Sequence, residues 1–161
     1  MNTTSKKNII DNQTLEKLKS LESKTLESVV CYLWVNQLNP KETIHLIDAV
    51  EFIFSDGDKI TLSGNEHQEG LEMIHYKLDE QKEILKKEFD NKIQVFKVVA
   101  NTTEMWNTVI NQKLTKVILT KDKISNEYLS DEIILNFENN EMRVIRVHPL
   151  DGIILDYYEE I

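Results

Sequence analysis

Apolar residues alternate on both sides of the dipeptide Asp56-Gly57, and this pattern constrains the fold more than any other in the chain. The run 46–54 alternates before the dipeptide, and the run 59–63 alternates after it. Residues of one parity lie on one face of a β-strand. Asp-Gly is typical of a type I′ turn, which has positive φ at both central positions. The sequence therefore predicts a β-hairpin with one buried face and one wet face.

A second stretch, 133–141, repeats the pattern of 50–58. The apolar positions of IILNFENNE match those of VEFIFSDGD, and a predicted short helix and strand precede each stretch. We interpret this as two copies of a helix-strand-hairpin-strand unit, about 12–76 and 101–158, joined by a helix near 78–90. Chance similarity of two hairpins is the alternative.

Other segments show the composition or periodicity of helices and strands. Leucines recur at every third position from Leu15, which predicts a helix that begins near Asp11. Asn101 and Glu104 resemble a capping box at the start of another helix. The run IQVFKVVA is apolar on nearly both faces, so we expect a strand in the middle of a sheet.

These elements predict an α+β fold. We expect mainly antiparallel, curved sheet or sheets of about eight or nine strands with two or three helices. Neither repeated unit is large enough to bury a core alone, so the sheets pack together or merge into one. At 161 residues one domain is expected, with residues 1–10 as a disordered N-terminus and 11–161 as the globular part.

The formal net charge of -9 limits the classes of partner. Nucleic-acid binding needs clustered Lys and Arg, and the 19 basic residues here are scattered, so no nucleic-acid partner is predicted. An acidic surface instead favours a basic protein partner. No apolar run has the length of a membrane span, and no signal-peptide pattern precedes the first helix. We therefore expect a cytoplasmic protein, and the many Lys and Asn are typical of a low-GC, bacterial genome.

No pattern predicts a metal, a cofactor or a catalytic group. Asp56 and Asp58 are spaced like the start of a calcium loop, but Ile60 stands where an EF-hand needs another oxygen ligand. The four histidines lack the helical spacing of a zinc site. Cys31 lies in an apolar run, which favours burial, and a nucleophilic pairing with His45 or His148 stays open.

Two tryptophans are candidates for a ligand pocket. Trp34 and Trp106 each lie within an apolar pattern. Such a pattern favours a place in the core, and the alternative is a pocket in a curved sheet.

The C-terminal tail is the candidate site for binding another protein. Here the aromatic residues Tyr157 and Tyr158 stand beside Asp156, Glu159 and Glu160. Aromatic side chains with acidic neighbours suit an interface with a basic partner. The alternative is a final strand with one inward tyrosine and solvated acids.

Three functions follow from these observations. The first is a non-enzymatic protein-binding module, immunity-like or inhibitor-like by analogy of size and charge only. The second is a small-molecule binder or an enzyme with a pocket at Trp34 or Trp106. The third is a structural subunit, because open edge strands favour homodimers.

Overall fold

The computed structural model describes residues 8–65, 69–75 and 78–158. In this part of the chain, nine antiparallel strands form one sheet that curls into a half-barrel, and three helices accompany it. The predicted α+β fold class is confirmed. In chain order the elements are α1 (Asn12–Ser20), β1 (Leu26–Asn39), β2 (Glu42–Phe54), β3 (Lys59–Gly64), β4 (Leu71–Met73), α2 (Leu78–Glu88), β5 (Ile93–Val99), α3 (Glu104–Asn107), β6 (Leu114–Ile118), β7 (Glu132–Phe137), β8 (Met142–His148) and β9 (Gly152–Tyr157).

The centre of the sheet is β2, which pairs with three other strands. β1 pairs with β2 along nearly its whole length and occupies one of its edges. On the other edge β3 pairs with residues 49–53 and β9 pairs at Ile47. The sheet then continues along β9-β8-β7-β6, along β3-β4, and along β1-β5. Within the described part of the chain it therefore ends in three strands, β4, β5 and β6.

Hydrogen bonds join the chain around the start of β1 to the chain around the start of β6. The N–H of Asn111 donates to the carbonyl of Leu26 at 2.7 Å, and the N–H of Ser23 donates to the carbonyl of Leu114 at 2.6 Å. One bond runs from the second segment to the first, and the other runs from the first to the second. Both donor residues have positive φ, 70° at Asn111 and 77° at Ser23. The starts of the two strands are thus tied together.

The main core lies between α1 and the strands of both predicted units. Leu18 of α1 and Leu21, the C-cap of this helix, are each 1% exposed and pack against apolar side chains of the sheet. The helix starts at its N-cap Asp11, whose Oδ1 accepts the N–H of Thr14 at 2.8 Å. A cavity of ≈ 10 Å³ lies inside this core, at most the space of one water. This cavity therefore has no room for a ligand larger than a water molecule.

A second apolar cluster lies on the opposite face of β1. Leu85 of α2 and Trp34 pack against it. Because β1 is covered on both faces, its burial shows no simple alternation between an apolar and a polar face. The buried members of this cluster are Val30, Tyr32, Ala49 and Val95.

The two predicted units share details of strand pairing. Leu26↔Phe54 opens the first unit and Leu114↔Phe137 opens the second, and each pair is followed by an irregularity in register. Each unit then runs through three successive antiparallel pairs. These shared details support the idea of an internal duplication, which stays a hypothesis.

The hairpin turn at Asp56-Gly57 exists, but the predicted type I′ geometry is wrong. The N–H of Gly57 donates to Phe54 O at 2.9 Å, and the N–H of Phe54 donates to Asp58 O at 2.8 Å. Only one residue of the turn has positive φ, Gly57 at 89°, and the matching turn has Asn140 at 69°. This is the three-residue loop in which a type I turn ends in a left-handed residue.

The prediction that IQVFKVVA lies in the middle of a sheet is also wrong. β5 pairs with β1 alone among the described residues, so it is an end strand. Ile93 and Val95 are buried, whereas Phe96, Val98 and Val99 are exposed. An apolar composition on both faces therefore does not show that both edges are paired.

The predicted capping box at Asn101 is not formed. α3 starts after its N-cap Thr103 and covers only four residues. The side-chain oxygen of Asn101 instead accepts the N–H of Val29 at 2.9 Å and the hydroxyl of Ser28 at 3.0 Å. Asn101 thus binds β1 and not the helix end.

The fold begins before residue 11. Ile10 is 5% exposed in the main core, and Ile9 forms an antiparallel bridge with Leu129. Residues 8–10, predicted as part of a disordered N-terminus, therefore belong to the fold. Residues 1–7 lie outside the described residues, as does residue 76 at the predicted end of the first unit.

Candidate functional site

A buried arginine supports the end of the last two strands. Arg143 of β8 is 2% exposed, because its side chain shares the inner face of the sheet with Ile145 and extends below α3. Its Nε donates to Met105 O at 2.7 Å. Its Nη2 donates to Thr108 Oγ1 at 3.0 Å and to a carboxylate oxygen of Glu141 at 2.8 Å. The guanidinium therefore has fixed partners on α3 and on the hairpin.

An exposed tyrosine stacks on this arginine. Tyr157 is the cross-strand partner of Arg143, and its ring centroid lies 4.5 Å from the guanidinium carbon. A cation and an aromatic face at this distance attract each other. Tyr157 is nevertheless 44% exposed, because it lies where the core ends. One face of the ring is held by the protein, and much of the ring remains open to solvent.

An acidic and an aromatic residue flank this tyrosine in the chain. Asp156 is exposed, and one of its carboxylate oxygens accepts the N–H of Tyr157 at 2.8 Å. Tyr158 is half-buried and donates its N–H to Met142 O at 3.3 Å. We call Asp156, Tyr157 and Tyr158 the β9 surface. The other two predicted members, Glu159 and Glu160, lie outside the described residues.

The charge of Arg143 is balanced within the site. The hydrogen bond from Arg143 lowers the pKa of Glu141 from its usual value, and the hydroxyl of Thr108 adds to this effect.

Sequence reasoning missed Arg143, although a signal existed. Arg143 shares the parity of Ile145 and Val147, so the alternation that predicts β8 also places this arginine on the apolar face.

The aspartates of the first hairpin are held by lysines. Lys24 Nζ lies 2.6 Å from Asp56 and 3.0 Å from Asp58, and Lys17 of α1 also pairs with Asp58. Hydrogen bonds from Lys17 and then Lys24 lower the pKa of Asp58 to about 2. The hydrogen bond from Lys24 likewise lowers the pKa of Asp56. Both carboxylates are therefore paired with ammonium groups.

This geometry predicts a pH-dependent stabilisation by Asp58. Its folded pKa lies below the unfolded value of about 3.9, so the stabilisation is present above that pH and is lost as the pH falls from about 4 to about 2. Asp58→Asn should lower the free energy of unfolding at neutral pH by about 1 kcal/mol or less, since the pair is partly exposed. Urea titrations at several pH values would measure the difference between the two proteins.

A matched control for Asp58 is Asp131→Asn. Asp131 is exposed and makes no hydrogen bond or ion pair with the described residues. Its replacement should change stability little at any pH. If the free energies of unfolding of wild type and Asp58→Asn differed at pH 2 as much as at neutral pH, the stabilising role given to the Asp58 carboxylate would be contradicted. Stabilisation of the wild type by calcium would contradict it too.

Cys31 does not have the surroundings of a nucleophile. It is 7% exposed, and burial raises the pKa of its thiol to about 11. A reactive cysteine needs the opposite shift, because the thiolate is the nucleophile.

Across the described residues there is no group of three or more His, Cys, Asp or Glu that could hold a metal ion. No helix in this part of the chain is long and apolar enough to cross a membrane.

The two candidate pocket tryptophans lie in different places. Trp106 is 2% exposed in the main core, where its ring meets Phe52 at 5.6 Å between centroids. Trp34 packs against the cluster under α2, on the other face of β1. An open depression of ≈ 550 Å³ at the C-terminal end of α2 is lined by Glu83, Lys86, Lys87, Asp90 and Asn91, and by no tryptophan. The structure therefore does not bring the two tryptophans together.

Comparison with protein-family models, with curated proteins and with solved structures finds no match to this chain.

Proposed function

We propose that this chain is a non-enzymatic protein-binding module that recognises a basic protein partner in the cytoplasm through the β9 surface. The observation that carries the proposal is the arrangement of Tyr157, whose ring is fixed on Arg143 while remaining 44% exposed. An aromatic side chain that is already ordered loses little entropy when it binds. Tyrosines of this kind are frequent among the residues that dominate binding energy.

Charge supports the choice of partner. The chain carries a formal net charge of -9, and Asp156, the residue before the tyrosine in β9, is exposed. A basic protein would be attracted at long range, and opposite charges at the rim of an interface raise the association rate. Immunity-like and inhibitor-like proteins neutralise partners in this manner, and the analogy here rests on size and charge only.

The test is capture of a partner by the immobilised full chain from an extract of its source cells. We expect one basic protein to bind at low salt and to be released at high salt, because salt screens exposed charges. Tyr157→Ala should weaken this binding about thirtyfold, which corresponds to about 2 kcal/mol for an aromatic residue at the centre of an interface. Affinity would be measured by calorimetry with the purified partner.

Tyr157→Phe is the matched control for this experiment. It keeps the ring on Arg143 and removes only the hydroxyl, so it should bind far better than Tyr157→Ala. A wild-type chain that retains no protein at low salt would refute the proposal. Equal binding by the wild type and Tyr157→Ala would show that the partner uses another surface.

A structural subunit that forms homo-oligomers is the second candidate function. It is favoured by β5, an end strand that pairs only with β1 among the described residues. An open edge strand is a template for pairing with another chain.

A further inference from the structure

The three end strands of the sheet differ in how their outer edges are covered. At β6, Val117 donates its N–H to Glu22 at 2.9 Å and accepts from Lys19 Nζ at 2.8 Å, so side chains of α1 and of the turn after it cover this edge. At β4, the N–H of Leu71 donates to Ser130 O at 2.7 Å. β5 has no such covering bond from the described residues. Proteins usually protect edges of this kind.

The open edge also exposes apolar side chains. Phe96 is 45% exposed, Val98 38% and Val99 57%. Lys97 is the single charged residue of the strand. Phe96 and Val98 lie on one face, and Val99 lies on the face that carries α2. An incoming strand would therefore bury apolar surface on both of its faces.

Two hydrogen bonds show which backbone groups point outward. Gln37 donates its N–H to Lys92 O at 2.7 Å, and Ala100 donates its N–H to Val29 O at 2.8 Å. Between these pairs the register of β1 and β5 advances without a bulge. In an antiparallel pair, hydrogen-bonded residues alternate with non-bonded ones. The even-numbered residues of β5 therefore bond to β1, and the odd-numbered ones point their N–H and C=O groups to the open edge.

We propose that β5 pairs with β5 of a second copy of this chain, antiparallel and across a two-fold axis at Phe96. Phe96 is the middle residue of Ile93–Val99, so this register gives full overlap of the two strands. Val95 then exchanges hydrogen bonds with Lys97 of the second copy. The two Phe96 side chains meet at the axis in a non-bonded pair, where opposite residues come closest. The strand is thus complementary to itself, as a two-fold interface requires.

The neighbouring registers are less favourable. An axis at Lys97 would place the two lysines opposite each other, and like charges directly opposite are destabilising. An axis at Val95 would leave Val98 and Val99 of each copy without a partner residue in β5 of the other copy. In the register centred on Phe96, each lysine faces a valine. Because β5 contains no acidic residue, nothing in the strand selects a basic segment of a different protein.

The decisive variant is Lys97→Pro in the full chain. Proline removes the outward N–H of residue 97 but no hydrogen bond between β5 and β1, and it is tolerated at an edge strand for this reason. Lys97→Ala is the matched control, because it loses the same side chain and keeps the N–H. Sedimentation equilibrium would measure the dimer dissociation constant, and circular dichroism would verify that both variants are folded.

We expect dimers for the wild type and for Lys97→Ala. For Lys97→Pro the dissociation constant should rise about tenfold or more, because each dimer loses two hydrogen bonds. A wild type that is monomeric throughout would overturn the proposal, even if it binds a strand of another protein. Lys97→Pro that dimerises as well as Lys97→Ala would overturn it too.

A disulfide test checks the register independently. Phe96→Cys should form a disulfide between two copies under mild oxidation, because residues opposite each other in a non-bonded pair are close enough to be bridged. Val98→Cys is the control and should not, since residue 98 faces Gln94 of the second copy in this register. Native Cys31 is buried and protonated, and should not interfere. Equal disulfide formation by both variants would refute the register.

The dimer rests on β5 and is independent of the β9 surface.

Discussion

Replacement of Trp106 by alanine is expected to lower the free energy of unfolding by about 3–5 kcal/mol. Trp106 is 2% exposed, and its ring packs edge-on against Phe52 with 60° between the ring planes. The contact joins the second predicted unit to the first, so the cavity left by the substitution would open where the two meet. Urea titration should show a lower midpoint with an unchanged slope.

Trp34→Ala is the control for this prediction. Trp34 is only partly buried under α2, outside the main core. Its loss should cost about 1–2 kcal/mol, the ordinary range for such a position. If Trp106→Ala cost no more than Trp34→Ala, Trp106 would not be a core residue, and a ligand pocket at this position would regain support.

Arg143→Ala is expected to lower the free energy of unfolding by about 3 kcal/mol. The substitution leaves the part-buried carbonyl of Met105 and the hydroxyl of Thr108 without this donor. It also removes the cation beneath Tyr157. The carboxylate of Glu141 is 36% exposed and can be hydrated, which keeps the loss at the lower end of the range for a broken buried pair. Thermal and urea unfolding would measure it.

The matched control is Arg146→Ala on the same strand. Arg146 pairs with Glu132 at 2.7 Å, and their side chains are 42% and 25% exposed. A partly exposed pair contributes about 0–1 kcal/mol, so this variant should be close to wild type. Arg143→Lys should be intermediate, because one ammonium group cannot reproduce the planar guanidinium. Equal losses at Arg143 and Arg146 would contradict the structural role given to Arg143.

Alternation of apolar residues predicted the hairpins well, because a strand with one buried face shows its burial directly in the order of its residues. The runs on both sides of Gly57 form β2 and β3, and those around Asn140 form β7 and β8. The turn geometry was not predictable from Asp-Gly alone, since the same dipeptide fits a type I′ turn and a type I turn that ends in glycine.

The candidate site was predicted only in part. Aromatic and acidic residues pointed to the tail, but the arrangement depends on the cross-strand pair of Arg143 and Tyr157, residues on two different strands. That pairing is decided by the turn between β8 and β9. The parity of β8 indicates that Arg143 faces inward, whereas its partners on α3 follow from the packing of the helix against the sheet.

The sequence by itself determined the α+β class, the antiparallel hairpins and the acidic character of this protein, since each depends on local pattern or on composition. Tertiary structure alone decided which strands have neighbours. Ile93 and Val95 of β5 are buried, but the apolar pattern of the strand does not show that β1 alone pairs with it among the described residues. Side-chain alternation reports burial above and below a strand, but the hydrogen-bonding partner at its edge is supplied by distant parts of the chain.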